Sequence, residues 1–313
     1  MISRKFRADH PLGGGAGASR GDTGRSDGHS VGVLRQRVPV RPLSEGEQDA
    51  ALAMCARDRV ANVFVAARIL EGAIRQSPGA LLGHFTSDGL DGLAWSSANV
   101  VPVELDDGGV ADLATRINRM RRLCASIFGP SDQVSALWER LSPSWGPARA
   151  IRRHQPLLAT STRPSELPIA LDESVRLAQP NEVDLVLPAA AHMFTEEIGY
   201  PPFHGSDRAY RSSIAELIRR RHTFVSVENG EVVFKADVGS RALGCAQVQG
   251  VWVHPDLRGQ GRAVPAMAAV VELLIDGGVE EVSLYVNDFN VAARATYARC
   301  GFREVGAFTT VLL

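Results

Sequence analysis

Val251-Trp252-Val253-His254-Pro255-Asp256-Leu257-Arg258-Gly259-Gln260-Gly261-Arg262-Ala263, with the apolar run that follows it, decides how the chain is read. Alternating apolar residues form a strand that delivers the chain to a glycine-containing loop, and a helix over about 263–277 starts at that loop. First-turn N–H groups of a helix have no internal partner, and the helix dipole places partial positive charge on them. That combination is an anion site. Gly259 and Gly261 allow the backbone to approach phosphate oxygens without a Cβ in the way. Arg258 and Arg262 add charge-assisted hydrogen bonds, and Pro265 suits a first helical turn.

The loop is neither of the common nucleotide motifs. A G-x-x-x-x-G-K-[ST] loop needs a lysine and a hydroxyl residue that do not follow here, and a G-x-G-x-x-G loop fails at its third glycine. A second signature lies downstream. Leu284-Tyr285-Val286-Asn287 ends a strand, and Asn290, Ala293 and Tyr297-Ala298-Arg299-Cys300-Gly301-Phe302 belong to the helix and turn after it. In this order and spacing the two stretches resemble the GCN5-related N-acetyltransferases, the GNAT superfamily. Arg258, Gly261 and Ala263 fill its R/Q-x-x-G-x-G/A positions, and the likeness covers about residues 170–313. The tandem arrangement also resembles a bacterial type with a degenerate GNAT-like first half.

The resemblance implies acetyl-CoA as co-substrate, an amine acceptor and no metal. Trp252 and Val253 would offer backbone to the pantetheine arm. Arg258, Gly259, Gln260, Gly261, Arg262 and Ala263 would hold the pyrophosphate, and Asn287 and Asn290 would complete the cofactor site. Tyr297 matches the tyrosine that protonates the departing CoA thiolate. Chemistry agrees, because a tyrosine of pKa about 10 carries its proton at pH 7 and a thiolate is expelled more easily beside a donor. The base is less well marked. An alkylamine of pKa about 10.4 must lose a proton, yet the strand where many family members place a glutamate holds Gln247 and Gln249. Glu196 and Glu197, at the end of an earlier helix beside Ile198-Gly199-Tyr200-Pro201-Pro202-Phe203, are the substitutes, with His254 a further option.

The order of elements repeats along the chain. Residues 1–32 are Gly-, Ser-, Asp- and Arg-rich and read as a disordered tail. A strand at 38–41 follows, with Ser44 and Glu47 placed as a capping box. Next come helices at about 45–57 and 59–75, strands at 80–86 and 92–103, a helix at 109–122, a strand at 123–128, a helix at 131–141 and a strand at 148–159. After a linker at 161–168, the second half gives a strand at 174–179 and helices at 181–197, expected to kink at Pro188, and at 206–220. Strands at 222–228, 231–238 and 243–254 precede the quoted loop and its helix. A strand at 281–286, a helix at 290–299 and a final pair of strands at about 303–313 close the chain. The expected fold is α/β (α+β mixed sheet): two tandem GNAT-like domains, 33–160 and 169–313, each a mixed, mostly antiparallel sheet flanked by helices. The first half carries Val101-Pro102-Val103-Glu104-Leu105-Asp106-Asp107-Gly108-Gly109 at the matching turn, where carboxylates would repel a pyrophosphate. All 4 tyrosines fall in the second half. The first domain is therefore expected to bind no acetyl-CoA and to pack on the second or shape its acceptor cleft.

Composition sets the outer limits. The 313 residues carry 34 basic and 35 acidic side chains, a formal net charge of -1, with 45% hydrophobic residues. A strongly basic nucleic-acid binder and a charge-extended disordered chain are excluded. The short runs Arg219-Arg220-Arg221-His222 and Arg152-Arg153 read as solvated element ends. The 4 cysteines form no C-x-x-C pair, no apolar run reaches the roughly 18 residues of a membrane span, and the N-terminal residues lack the apolar core of a secretory signal. A cytoplasmic N-acetyltransferase follows as the expectation, without nucleic-acid or membrane partners and with room for a homodimer. A non-catalytic acyl-CoA sensor or interaction module is the alternative.

Overall fold

Leu81 and Leu82 are both buried yet pack into different cores, as do Leu93 and Ala94, Val100 and Val101, and Phe224 and Val225. Successive strand residues point to opposite faces, so this apolar pairing requires a sheet covered on both sides. The structure, a computed structural model, describes residues 39–120 and 122–313. The expected tail at 1–32 lies outside the described residues.

The first half contains β1 Val40–Pro42, α1 Gln48–Cys55, α2 Arg59–Leu70, α3 Ala73–Gln76, β2 Leu81–Thr86, β3 Gly89–Ser96, β4 Asn99–Val103, α4 Asp107–Asn118, β5 Ser126–Pro130, α5 Ser131–Trp145 and β6 Ala150–Thr160. The second half contains β7 Arg176–Leu177, α6 Val183–Ile198, α7 Arg208–Arg219, β8 Thr223–Glu228, β9 Glu231–Ala242, β10 Cys245–Val253, α8 Ala263–Asp276, β11 Glu281–Tyr285, α9 Val291–Arg299 and β12 Arg303–Leu312. The Ser44–Glu47 capping box forms. Three sequence expectations change. The strand expected at 92–103 is a hairpin of β3 and β4, the helix expected at 59–75 ends at Leu70, and α6 runs unbroken through Pro188.

The largest difference is at the end of the chain. One twelve-stranded sheet runs β1-β2-β3-β4-β5-β12-β6-β11-β10-β9-β8-β7. Among the described residues, only β4 with β5 and β10 with β11 are parallel. The pair of strands expected at 303–313 is a single strand, β12, which lies between β5 and β6. β6, the last strand of the first half, in turn pairs with β11 through Val282↔Thr160 to Tyr285↔Leu157. Each half thus completes its neighbour's sheet. The physical reason is apolar burial: Leu158 packs in the core under α8, whereas Leu157 and Ala159 pack in the core under α2. Only a central strand buries both faces in this way.

The four cores follow this exchange. α1 and α2 cover one face of the first half and α4 and α5 the other; α6 and α7, then α8 and α9, do the same for the second. α2 also reaches across onto β9 and β10. It is held there by Arg59, which binds Glu280 at 2.5 Å and Glu281 at 3.1 Å. Val63, Val65 and Ile69 of α2 are fully buried, and each such aliphatic side chain contributes about 1.5–3 kcal/mol.

Candidate active site

β10 keeps its ladder with β9 as far as Val253, but its parallel ladder with β11 stops at Gln247. Beyond that point the two strands diverge, and the register with β9 shifts between Gln249 and Trp252, marking a bulge. Such a bulge re-aims backbone groups. The chain then passes His254 and a single 3-10 turn to the exposed loop 258–262, and α8 begins at Ala263. Gly259 and Gly261 have φ of 75° and 78°, and a Cβ at either would meet nothing within 4 Å. No side chain caps the first turn of α8. An open strand edge therefore leads to an uncapped helix N-terminus, a combination suited to an extended ligand with an anionic end.

The arginines of this loop are held by the chain's own carboxylates. Arg258 donates to both oxygens of Glu196, at 3.0 and 2.8 Å, and through Nε to the Val253 carbonyl at 3.0 Å. Arg262 donates to Glu228 at 2.6 Å. Gln260 donates to the Asp256 carbonyl at 2.7 Å. Glu196 thus joins the end of α6 to the loop, and both of its oxygens are engaged. Glu197 is placed differently. Its carboxylate is 3.4 Å from Arg152 Nη1, while Arg152 Nη2 binds its backbone carbonyl at 2.8 Å.

Tyr297 lies in α9, buried in the core that includes Val264 and Val286, with the Phe302 ring 5.8 Å away. Burial first, then the charges of Glu197 and Cys300, push its hydroxyl pKa above the usual tyrosine value. Tyr285 is raised in the same way by burial and by Glu197, with Arg152 opposing. Glu197 is therefore the carboxylate whose field reaches both tyrosines. Asn290 caps α9, its Oδ1 accepting from Ala293 N–H at 3.2 Å, so only its amide hydrogens remain to offer a ligand. Trp252 turns its ring into the core beneath α6 and lies opposite Lys235 of β9. His254 Nδ1 accepts from Asp256 N–H at 3.4 Å, a local turn contact.

Several residues that complete this site are not apparent in the sequence, and they come from the first half. Gln155, on β6, donates to Asn287 Oδ1 at 3.0 Å and accepts from Thr310 at 2.6 Å. Arg149 lies 4.9 Å from the centre of the Tyr200 ring, and Arg152 anchors Glu197. Arg152, expected to be a solvated element end, is a half-buried clamp on α6. The only hint in the sequence is the polar Gln155 preceding an apolar run.

The matching region of the first half is built from the same elements and closed. Its strands β3 and β4 pair without a bulge, and Pro102 stands where β10 has Trp252, so no N–H is available there. Asp106 caps α4, accepting from Gly109 N–H at 2.7 Å, and Gln133 takes the Leu105 N–H at 3.1 Å.

A family model described as "Acetyltransferase (GNAT) family" matches residues 190–302, and a domain of unknown function (DUF4081) matches residues 79–186. The second half contains a GNAT acetyltransferase-family domain. Solved structures share its fold across most of its length. A Drosophila protein superposes with a TM-score of 0.61 at 15% identity, covering 88% of this chain and 98% of its own. A GNAT-family acetyltransferase from Colwellia psychrerythraea gives 0.51 at 13% identity, covering 88% of this chain and 99% of its own. A tandem GNAT protein from the clavulanic acid biosynthesis pathway gives 0.50 at 15%, covering 87% and 98%. Among the described residues, no group of His, Cys, Asp or Glu is arranged to hold a metal ion, and no helix is long and apolar enough to cross a membrane.

Proposed function

We propose that the second half transfers an acetyl group from acetyl-CoA to a primary amine, and that the first half supplies one wall of the acceptor cleft. The observation that carries this reading is the divergence of β10 from β11 directly above an uncapped α8 N-terminus, with Tyr297 on the next helix. The amides of Gly259 to Ala263 and the side chains of Arg258 and Arg262 fit a pyrophosphate. The exposed backbone of Val251 and Val253 fits a pantetheine arm, and Asn287 and Asn290 offer side-chain amides nearby.

In the reaction the amine nitrogen forms a bond to the thioester carbonyl carbon as the carbon–sulfur bond breaks. The proton leaving nitrogen passes to Glu197, directly or through water, and Tyr297 donates its proton to the departing thiolate. Tyr297 then regains a proton from solvent as Glu197 gives its own up, so a neutral amine and acetyl-CoA yield the amide and CoA with no net proton released, and an amine that enters as ammonium releases one. Between the two carboxylates, Glu197 is the base in this account because both oxygens of Glu196 are bound by Arg258. Backbone N–H groups at the β10 bulge would stabilise the developing oxyanion, a contribution of about 3–4 kcal/mol for one such donor.

The test is release of CoA from acetyl-CoA against a panel of small amines, lysine-containing peptides and free peptide N-termini, with Arg262→Glu as control. Acceptor-dependent release that falls in the control supports the reading. Binding of acetyl-CoA with no release for any acceptor would establish the sensor alternative.

A further inference from the structure

Lys235 is fully buried in β9, paired with Asp237, which is itself 1% exposed and accepts from the Thr223 hydroxyl at 2.8 Å. Moving a charged pair out of water costs more than the attraction usually returns, and apolar residues of similar size tend to be equally stable or better. A buried pair is therefore weak evidence of a stability role, and its location becomes informative.

That location is the bulge of β10. Gly250 has φ of 59°, and a Cβ there would lie 3.0 Å from Met193 Cε, 3.3 Å from Asp237 Oδ2 and 3.5 Å from Lys235 Nζ. The charged pair lies directly against the bulged backbone. Trp252, the residue across from Lys235 after the register shift, has a buried indole N–H with no acceptor among the described residues. Strained or costly features that gather at one place mark a site held for function.

The first half supplies the control. By the same register, Ala94 stands opposite Pro102 where Lys235 stands opposite Trp252, and Ser96 lies two residues on where Asp237 does. In that half the strand pair is regular and the anion loop is closed. The charged pair occurs with the bulge and is missing without it.

We propose that Lys235, held by Asp237 and Thr223, is a positioning residue for acyl transfer. Together with Asp237 it packs against Gly250 and fixes the β10 bulge so that the Val251–Val253 backbone meets the thioester carbonyl. The inference rests on the acetyl-transfer reading above. The test uses the full chain in two variants: Asp237→Asn, which keeps the shape and the Thr223 contact, and the double variant Lys235→Met with Asp237→Leu, which replaces the pair by an apolar one. The expected result for the double variant is an unchanged or higher Tm, a CoA dissociation constant close to that of the parent, and kcat lower by about 10–100-fold. Asp237→Asn should lower kcat in the same direction. Parent-like kcat in a folded double variant overturns the proposal; should that variant not fold, parent-like kcat in Asp237→Asn overturns it. In a chain without turnover, hydrogen exchange separates the two readings. Acetyl-CoA should slow exchange at Val251–Val253 in the parent and not in either variant, and equal slowing in both rejects the role of Lys235.

Discussion

The two halves share a plan and differ at one helix N-terminus. In the second half α8 starts without a side-chain cap, behind an exposed glycine loop with two arginines. In the first, Asp106 already supplies a carboxylate to the start of α4, and Gln133 takes the amide next to it. The chain has in effect placed its own anion where the other half leaves room for one. A helix N-terminus is thus a binding site only when nothing local satisfies it, and the same fold can turn such a site off with an aspartate, a proline and the loss of a bulge.

The largest expected effect that would sharpen this contrast is at Tyr297, which has no counterpart in the first half. Tyr297→Phe should lower kcat by about 100-fold or more while leaving acetyl-CoA affinity intact, measured by steady-state kinetics and calorimetry. Burial raises the hydroxyl pKa of Tyr297, as it does those of Tyr285 and Tyr210. The neutral form is the one favoured in the folded chain, so stability is fully present below the unfolded value of about 10 and is lost as pH rises toward the folded values. The donor should therefore keep its proton through pH 9, with loss of fold seen by circular dichroism only above about pH 10.

Asp106→Ala asks whether uncapping α4 creates an anion site in the first half. It should cost about 1 kcal/mol of stability in urea and gain no acetyl-CoA binding, because Pro102 still lacks an N–H and Glu104 and Asp107 remain. Acetyl-CoA bound to the first half of that variant would show that the Asp106 cap alone keeps α4 from taking an anion. A smaller effect is expected at Glu228, which holds Arg262 at 2.6 Å in an exposed pair. Glu228→Gln should free the arginine and tighten acetyl-CoA binding by about two- to fivefold, since exposed pairs of this type are worth about 0.2–1 kcal/mol. Weaker binding would show that Glu228 positions Arg262 and does not compete for it.

The local parts of the site are readable in the sequence because each is a strand, a loop and a helix in succession: Val251 to Ala263, and Leu284 to Phe302. What joins them is not local. β12 crosses to β5, and β6 crosses to β11, so Gln155 meets Asn287 across 132 positions of chain. No periodicity within 303–313 reveals that one strand serves both halves. Arg152-Arg153 reads as solvated until α6 is known to end beside it. Lys235 and Asp237 alternate with Phe234, Ala236 and Val238, the pattern of a half-exposed strand; only the packing of α6 and α7 over that face buries the charges. The strand exchange also bears on how the halves are compared, because either one alone would lack a central strand. Acetyl-CoA binding by either half is therefore measured in the intact chain.

The most direct measurement is calorimetric titration of the full chain with acetyl-CoA. One molecule bound per chain, with affinity reduced by about tenfold or more in Arg262→Glu and unchanged in Asp106→Ala, is the predicted result. Two molecules per chain, or one molecule whose affinity survives Arg262→Glu, would contradict the assignment of the anion site to the second half.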